Sequence, residues 1–276
     1  MSSGIVIINY NLAKDAGRLL EQFRKQELAP GMEIFLVDNG EFDRQGKRLD
    51  LEKALGKERL KGFRVFYNKE NRGFGFSCNQ IARKIDKKYL VFLNPDCQIS
   101  LKGIERLIEV LKRNKEVGIV GPRLMKSEKV EQKWSGGGKR RVNKQKAWEE
   151  VGWLSGACLV VRKKDFLGLG GFDRRFFMYF EDKDLCFRAR KKGWKVVRLL
   201  GVKAFHGESK SRIEWKQRKR MYYKSQALFW AKHYGKVCSF FLKIIRIPVY
   251  IKNVYLFCLI FVFTSIFAGL ECWARV

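Results

Sequence analysis

The sequence predicts an α/β domain built on a mostly parallel sheet. Two observations support this class: short apolar runs alternate with helical patterns through the first 125 residues, and most of the runs end at Asn or Asp. Strand–helix–strand units form parallel sheets, and such sheets bind ligands at the carboxyl ends of their strands. We therefore look for functional residues where each predicted strand ends.

The elements follow one another in a regular order. Strands are predicted at 4–11, 33–40, 63–68, 88–96, 158–162 and 194–200, and helices at 13–27, 76–85 and 101–114. Between them, KWSGGGKRRVNKQK (133–146) is rich in glycine and strongly basic. This composition fits either a flexible surface loop or a mobile cover over a phosphate-bearing substrate.

The charge balance narrows the class of partner. With 58 Lys and Arg against 28 Asp and Glu, the net charge of +30 indicates nucleic acid, an anionic membrane surface or a phosphorylated substrate. The seven cysteines contain no C-x-x-C pair, which argues against a disulfide framework or a zinc site and fits a reducing cytosol. We expect no secretory signal, because the first residues are typical of a strand.

The last quarter of the chain differs from the rest. Residues 210–252 contain 12 Lys or Arg and one Glu, interleaved with aromatic residues, and 253–270 contain no charge. We expect three parts: a catalytic or binding domain at 1–209, basic amphipathic helices at 210–252 on an anionic membrane surface, and a hydrophobic membrane helix within 253–276. Nucleic-acid binding and a buried soluble helix are the alternatives.

Two acidic motifs stand out in this basic chain. Asp96 of FLNPD follows a strand, where a carboxylate could bind a divalent cation, although Asn-Pro-Asp is also an ordinary turn. FMYFEDKDL (177–185) gathers Glu181, Asp182 and Asp184. Acids at a helix start and an Asp184–Arg188 pair at i, i+4 are typical of capping, which explains Asp184 well and Glu181 poorly.

Seven blocks of sequence together carry a resemblance. VIINYN, VDNG, NRGFGFSCN, FLNPD, WLSGACLVVRK, GGFDRRFFMYFEDKDLCFRARKKGWKV and FHGES occur in this order between residues 4 and 209. They resemble the family 2 glycosyltransferases, in particular the bacterial rhamnosyltransferase and galactofuranosyltransferase-like branch. The resemblance implies a GT-A fold, in which a Rossmann-like sheet binds a nucleotide-diphosphate sugar.

The resemblance also implies roles for individual residues. It makes Asp182 the general base and Glu181 its orienting neighbour or an acceptor contact, and it makes Asp96 and His206 ligands of Mg²⁺ or Mn²⁺. The remaining residues would line the nucleotide-sugar pocket: Tyr10, Asn11, Asp38, Asn71, Gly73, Asn79, Asn94, Gly156 and Ala157. His233, in the basic segment, has a structural interpretation, and the aromatic run before Glu181 is expected to form a wall of the acceptor pocket.

The expected function follows from these roles. It is inverting transfer of a sugar from a UDP- or dTDP-sugar to a lipid-linked or growing cell-surface polysaccharide, at the cytoplasmic face of the cell membrane. Asn9 stands where relatives usually carry Thr or Ser, so the resemblance does not decide whether the nucleotide of the donor is uridine or deoxythymidine. The alternatives are direct transfer to polyprenyl phosphate, or a non-catalytic basic protein that binds membrane or nucleic acid through a degenerate transferase domain.

Overall fold

A computed structural model describes residues 2–42, 48–49, 51–56, 60, 62–132, 135–136, 141–143, 147–207 and 214–245. Most of the basic glycine-rich loop (133–146), the last two residues of FHGES and the whole predicted membrane helix (253–276) lie outside these residues. In the part of the chain that the structure describes, no helix is long and apolar enough to cross a membrane.

Strands and helices alternate as the sequence predicts. The strands described are β1 Ser3–Asn9, β2 Met32–Asp38, β3 Glu41–Phe42, β4 Arg48–Leu49, β5 Arg64–Tyr67, β6 Tyr89–Leu93, β7 Cys97–Gln98, β8 Val117–Met125, β9 Ser135–Gly136, β10 Arg141–Asn143, β11 Trp148–Glu150, β12 Trp153–Leu154, β13 Cys158–Arg162 and β14 Lys195–His206. The helices described are α1 Ala13–Arg24, α2 Leu51–Leu55, α3 Phe74–Lys84, α4 Leu101–Arg113, α5 Lys163–Gly168, α6 Glu181–Lys191, α7 Trp215–Tyr234 and α8 Lys236–Ile245.

One large mixed sheet organises the domain, with strand order β10-β11-β14-β8-β13-β6-β1-β2-β5 and β7 paired to β14. The strands β5, β2, β1 and β6 are parallel, as are β8 and β14. β13 runs antiparallel between β6 and β8. Because of this reversal, the residues just before β13 lie at the same edge as the carboxyl ends of β1, β2 and β6.

The core lies on both faces of the sheet, as expected when helices cover a mostly parallel sheet. Helix α4 shows how the sequence builds it: its apolar residues recur at helical spacing, and Ile104, Leu107 and Leu111 are fully buried. The Ser100 side chain caps this helix by accepting a hydrogen bond of 3.1 Å from the Gly103 amide.

Strand β14 is longer than predicted, and this difference positions a functional residue. The sequence indicates a strand ending at residue 200, whereas the observed strand reaches His206 after a register shift between Leu199 and Lys203. Gly201 interrupts the apolar pattern at this irregularity, which is why the pattern hides the continuation. The continuation places His206 directly opposite Cys97 of β7.

Helix α7 packs against the domain through residues that its sequence pattern does not single out. In the sequence, Tyr223, Ala227, Trp230 and Tyr234 fall at helical spacing on one face, which is expected to lie on the anionic membrane surface. In the structure Ser225 and Phe229 are the buried residues, while Tyr223 is exposed. The aromatic residues of this helix therefore lie on two surfaces. Phe229 packs on Phe180 of the domain, whereas Trp215 is 63% exposed.

The aromatic run before Glu181 forms no strand. Phe176 and Phe180 are buried in a small cluster with Phe229 of α7. The expectation that the whole run lines the acceptor pocket is therefore wrong for these two rings, because helix α7 takes up their apolar surface. Phe177 is 38% exposed.

Candidate active site

The ends of β1 and β2 form a polar floor at the sheet edge. The Asn9 side-chain amide donates to Asp38 Oδ1 at 3.0 Å, and the Gly40 amide donates to the same oxygen at 3.1 Å. Asp38 is buried, so these contacts fix its carboxylate orientation at the sheet edge. Tyr10 and Asn11 follow β1 and are half-buried beside it, with Asn11 in the left-handed region at φ 55°.

A second polar cluster, which the sequence analysis did not single out, adjoins this floor. The Asn39 side-chain oxygen accepts hydrogen bonds from Asn68 Nδ2 at 2.8 Å and from Ser77 Oγ at 2.7 Å. All three residues are buried. Asn39 and Asn68 both follow strand ends, so the rule that points to Asp38 could also have found them.

The glycine-containing loop before α3 approaches the segment that precedes the acidic helix. Gly73 has φ +92°, and a Cβ placed there would lie 2.4 Å from the Phe177 carbonyl oxygen. The Asn71 side chain accepts a hydrogen bond of 2.9 Å from the Gly73 amide. Only glycine combines this backbone conformation with so close a contact.

Asn79 has a structural task in this arrangement. Its amide nitrogen donates to the Phe172 carbonyl at 2.7 Å, and its oxygen accepts from the Phe172 amide at 2.8 Å. These two hydrogen bonds tie α3 to the loop before α6. Both ends of the Asn79 side chain thus bind protein backbone, which leaves its predicted place beside the sugar nucleotide untested.

Asp96 and His206 come together across 110 residues of sequence. Their Oδ1 and Nε2 atoms are 3.4 Å apart, and the Gly207 amide donates to the Asp96 carbonyl at 3.0 Å. Gln132 orients the imidazole: its Nε2 donates to the His206 carbonyl at 2.7 Å, and its Oε1 lies 3.1 Å from Nδ1. With Nδ1 protonated toward Gln132, Nε2 presents its lone pair to the side of Asp96.

This pair fits a divalent metal ion. Two donor atoms, each about 2.1 Å from one ion, lie about 3.0–3.4 Å apart at bond angles between octahedral and tetrahedral. Within the described residues no group of three or more His, Cys, Asp or Glu surrounds such a position. A two-residue donor set matches ions that keep waters and substrate phosphates as their other ligands.

Gly156 and Ala157 connect the Asn94 turn to the acidic helix. The Asn94 amide donates to the Ala157 carbonyl at 2.9 Å, and the Gly156 amide donates to Asp182 Oδ2 at 2.8 Å. The antiparallel direction of β13 makes this link possible, because it puts residues 155–157 at the carboxyl edge. The structure thereby brings Asn94, Gly156, Ala157 and Asp182 into one hydrogen-bonded unit.

Glu181 and Asp182 have different environments despite being adjacent. Asp182 is partly exposed, and its second oxygen accepts from the Lys183 amide at 2.7 Å. Burial raises the pKa of Asp182, and the amides of Gly156 and Lys183 oppose that rise. Burial together with the charge of Asp182 raises the pKa of Glu181 to about 8, and its Oε2 has no hydrogen-bond partner among the described residues.

These environments determine which of the two carboxyl groups holds the proton. Two backbone amides stabilise the ionised form of Asp182, whereas nothing described stabilises a charge on Glu181 Oε2. At neutral pH, Asp182 therefore carries the charge and Glu181 the proton. A partly exposed carboxylate whose pKa is raised suits general-base chemistry.

Asp184 is structural, as its capping interpretation suggests. Arg188 Nε donates to its Oδ2 at 2.8 Å, which confirms the i, i+4 pair, and His233 Nε2 lies 2.7 Å from its Oδ1. Burial by itself would raise the pKa of Asp184, but His233, Arg188 and Lys232 hold it below its ordinary value. The structural interpretation of His233 is confirmed by this contact.

The fold and the site together define an α/β protein whose candidate site residues lie at the carboxyl edge of a mostly parallel sheet. The model of the family "Glycosyl transferase family 2" matches residues 4–169. The chain therefore belongs to this glycosyltransferase family. A second model, "Glycosyl transferase family group 2", matches residues 127–273.

Curated relatives include rhamnosyltransferases, which confirms the branch of the resemblance. The N-acetylglucosaminyl-diphospho-decaprenol L-rhamnosyltransferase of Mycobacterium tuberculosis is 24% identical over 242 residues, covering 75% of this chain and 76% of that protein. Rhamnosyltransferase WbbL of Escherichia coli K12 is 41% identical over 70 residues, which is 25% of each chain.

Solved structures confirm the GT-A fold. GalNAc-T7, crystallised with UDP, GalNAc and Mn²⁺, matches with a TM-score of 0.60 at 16% identity, over 84% of this chain and 50% of that one. The mannosyltransferase PcManGT of Pyrobaculum calidifontis, with GDP-Man and Mn²⁺, gives 0.58 at 17% identity, over 88% and 64%. The chain thus spans about half to two thirds of these proteins.

Proposed function

We propose that this protein is an inverting glycosyltransferase that moves a sugar from a nucleotide-diphosphate sugar to a lipid-linked or growing surface polysaccharide. The observation that carries the proposal is the position of Asp182. Its carboxylate accepts a hydrogen bond from the Gly156 amide at the edge of the sheet where Asp38 and Asp96 also lie. The proposed base, the proposed nucleotide-binding residue Asp38 and the two proposed metal ligands thus lie at one edge of the sheet.

The reaction needs one displacement at the anomeric carbon. Asp182 takes the proton of the acceptor hydroxyl, whose oxygen forms a bond to that carbon as the bond to the diphosphate breaks. Glu181, protonated and buried beside Asp182 in sequence, adds no second negative charge next to the base. Attack opposite to the leaving group inverts the configuration.

The residues at the Asn-Pro-Asp turn suit the leaving group. Asp96 and His206 would hold Mg²⁺ or Mn²⁺, and such an ion neutralises charge on a departing diphosphate. Gln132 contributes by fixing the ring of His206. Tyr10, Asn11, Asp38, Asn71 and Gly73 would bind the nucleotide sugar, and Asn79 ties α3 to the loop before α6.

The name of the mycobacterial relative guides the choice of substrates. That protein is named as a rhamnosyltransferase of an N-acetylglucosaminyl-diphospho-decaprenol, so we favour a polyprenyl-linked acceptor. For the donor we keep the UDP- or dTDP-sugar that the family resemblance implies. Direct transfer to polyprenyl phosphate is the nearer alternative. A non-catalytic protein that binds membrane or nucleic acid is the more distant one.

Substitution of the base tests the proposal. Asp182→Asn keeps the size of the side chain and should lower turnover about 10²–10⁴-fold, with unchanged binding of UDP or dTDP by calorimetry. Asp165→Asn is the matched control, because Asp165 lies in the first turn of α5 at the opposite edge of the sheet. Wild-type turnover in Asp182→Asn would refute the catalytic role.

We also propose that the protein works at the cytoplasmic face of the membrane, docked through the outer surface of α7 and α8. Helix α7 carries exposed cations, and α7 and α8 carry exposed apolar side chains, a combination suited to anionic lipid. The cations are Lys216, Lys219, Arg220 and Lys224, and the apolar residues are Trp215, Val237 and Phe240.

Vesicle binding tests this location. Changing the four α7 cations to Gln should weaken salt-sensitive binding to phosphatidylglycerol vesicles by at least tenfold, at about 1 kcal/mol per cation near the surface. Gln at Lys102, Lys112, Arg113 and Lys115 removes the same charge from the α4 region and should leave binding unchanged. Equal losses in both variants would show that net charge, and not this surface, governs binding.

A further inference from the structure

The catalytic carboxylate follows a strained turn. Tyr179 and Phe180, immediately before α6, both have φ of 67°, and Phe180 is the residue that caps the helix. Left-handed backbone costs a residue with a side chain about 1–2 kcal/mol. Two such residues in succession persist only where surrounding contacts hold them, and strain of this kind concentrates at functional sites.

Helix α7 supplies contacts that hold this turn. Ser225 Oγ donates a hydrogen bond of 2.7 Å to the Met178 carbonyl, just before the two left-handed residues. The Tyr222 ring packs edge-on against both of them, with centroids 5.7 Å from Tyr179 and 5.2 Å from Phe180. The turn thus rests on side chains 40 or more residues away in sequence.

The same helix also contacts α6 at Asp184, two residues beyond the base. Lys232 bonds Asp173 at 2.8 Å and also pairs with Asp184, to which His233 bonds at 2.7 Å. Asp184 is completely buried, so these partners fix the rotation of α6 about its own axis. The helix therefore constrains the segment on both sides of Asp182.

We infer that α7 is a positioning element of the catalytic site, in which Ser225 and Tyr222 hold the Tyr179–Phe180 turn and so keep the Asp182 carboxylate on the Gly156 amide. The inference rests on the proposed role of Asp182 as base. It gives the basic helix a second task besides membrane docking. Neither residue touches the reacting atoms, so their effect must pass through Asp182.

The Gly156 amide reports on this positioning without any assay of activity. Selective ¹⁵N-glycine labelling limits the spectrum to 25 glycines, and the Gly156 signal is assigned by its loss in Gly156→Ala. An Ala Cβ there would lie 3.5 Å from the Phe74 ring and 3.7 Å from Asp182 Cβ, which are ordinary contacts. The measurement uses the full-length protein.

The test compares the Ser225→Ala, Tyr222→Ala double variant with Tyr222→Phe. We expect the double variant to exchange the Gly156 amide about tenfold faster, as expected when one hydrogen bond is lost, while the amides of the sheet glycines Gly4 in β1 and Gly121 in β8 keep their protection. Its kcat should fall at least tenfold with donor KM within twofold. Tyr222→Phe keeps the ring contacts and should match the wild type in both readouts.

One result overturns the inference whatever the activity shows. If Gly156 exchange and chemical shift in the double variant equal those of the wild type, α7 does not position Asp182. If Gly156 responds as expected but the wild-type protein transfers no sugar, the positioning stands and the proposed function fails. Loss of protection at Gly4 and Gly121 as well would mean global unfolding and would count against a local role.

Discussion

The buried Glu181 should make the stability of this protein fall as the pH rises. Burial and the charge of Asp182 raise its pKa from 4.5 to about 8 in the folded state. An acidic group whose pKa is higher in the folded protein than in the unfolded chain stabilises the folded state. This contribution is complete at pH values below the pKa of the group in the unfolded chain. That contribution is lost as the pH rises through the folded pKa. The window is therefore about pH 4.5 to 8.

The magnitude follows from the two pKa values. Their difference of about 3.5, at about 1.4 kcal/mol per unit of pKa, sets an upper limit of about 5 kcal/mol between the ends of the window. Glu181→Gln removes the titrating group and keeps its shape. The variant should lose less stability than the wild type between pH 5 and 8, whatever its absolute stability.

Urea unfolding at closely spaced pH values, followed by tryptophan fluorescence, measures this difference. Glu109→Gln is the matched control, because Arg113 holds the pKa of the surface residue Glu109 below its ordinary value, outside the window. Its free energy of unfolding should parallel that of the wild type from pH 5 to 8. If the Glu181→Gln curve also parallels the wild type, Glu181 is ionised in the folded protein, and the division of the proton with Asp182 is refuted.

Three further changes have defined outcomes. Gly73→Ala should lower the free energy of unfolding by about 1–3 kcal/mol in urea titrations, because its Cβ would meet the Phe177 carbonyl; an unchanged midpoint would contradict this. Asp184→Asn should cost about 3–5 kcal/mol, since it leaves Lys232 and Arg188 without their buried partner, and thermal unfolding that matches the wild type would count against it. The thiols of Cys158 and Cys186, whose pKa burial raises to about 12, should react with Ellman's reagent only after denaturation; labelling of either in the native protein would show that the site opens.

Local patterns in the sequence were sufficient for the fold class and for much of the site. Apolar runs of strand length, such as Tyr89–Leu93, and helical spacing, as in Leu101–Arg113, identify elements because burial imposes those periods. The polar residues after the strands, among them Asp38 and Asp96, follow from the rule that parallel sheets bind ligands at that edge. These inferences need only neighbours along the chain.

Tertiary structure decided the partnerships between distant residues. No local signal joins Gln132 to His206, or Gly156 to Asp182, because those contacts depend on the antiparallel insertion of β13 and the irregular course of β14. The face of α7 that packs on the domain could not be predicted for the same reason. Helical spacing shows which residues share a face, but only the neighbouring Phe180 determines that Phe229, and not Tyr223, is buried.

The acids of FMYFEDKDL show the same division. The sequence by itself determined that three carboxylates meet at a helix start, which is a consequence of spacing along one element. It could not assign their charges, because a carboxyl's pKa depends on burial and on donors from elsewhere in the fold. Only the structure gives Asp182 the Gly156 amide, Asp184 its cationic partners, and Glu181 an oxygen without a donor in the described part of the chain.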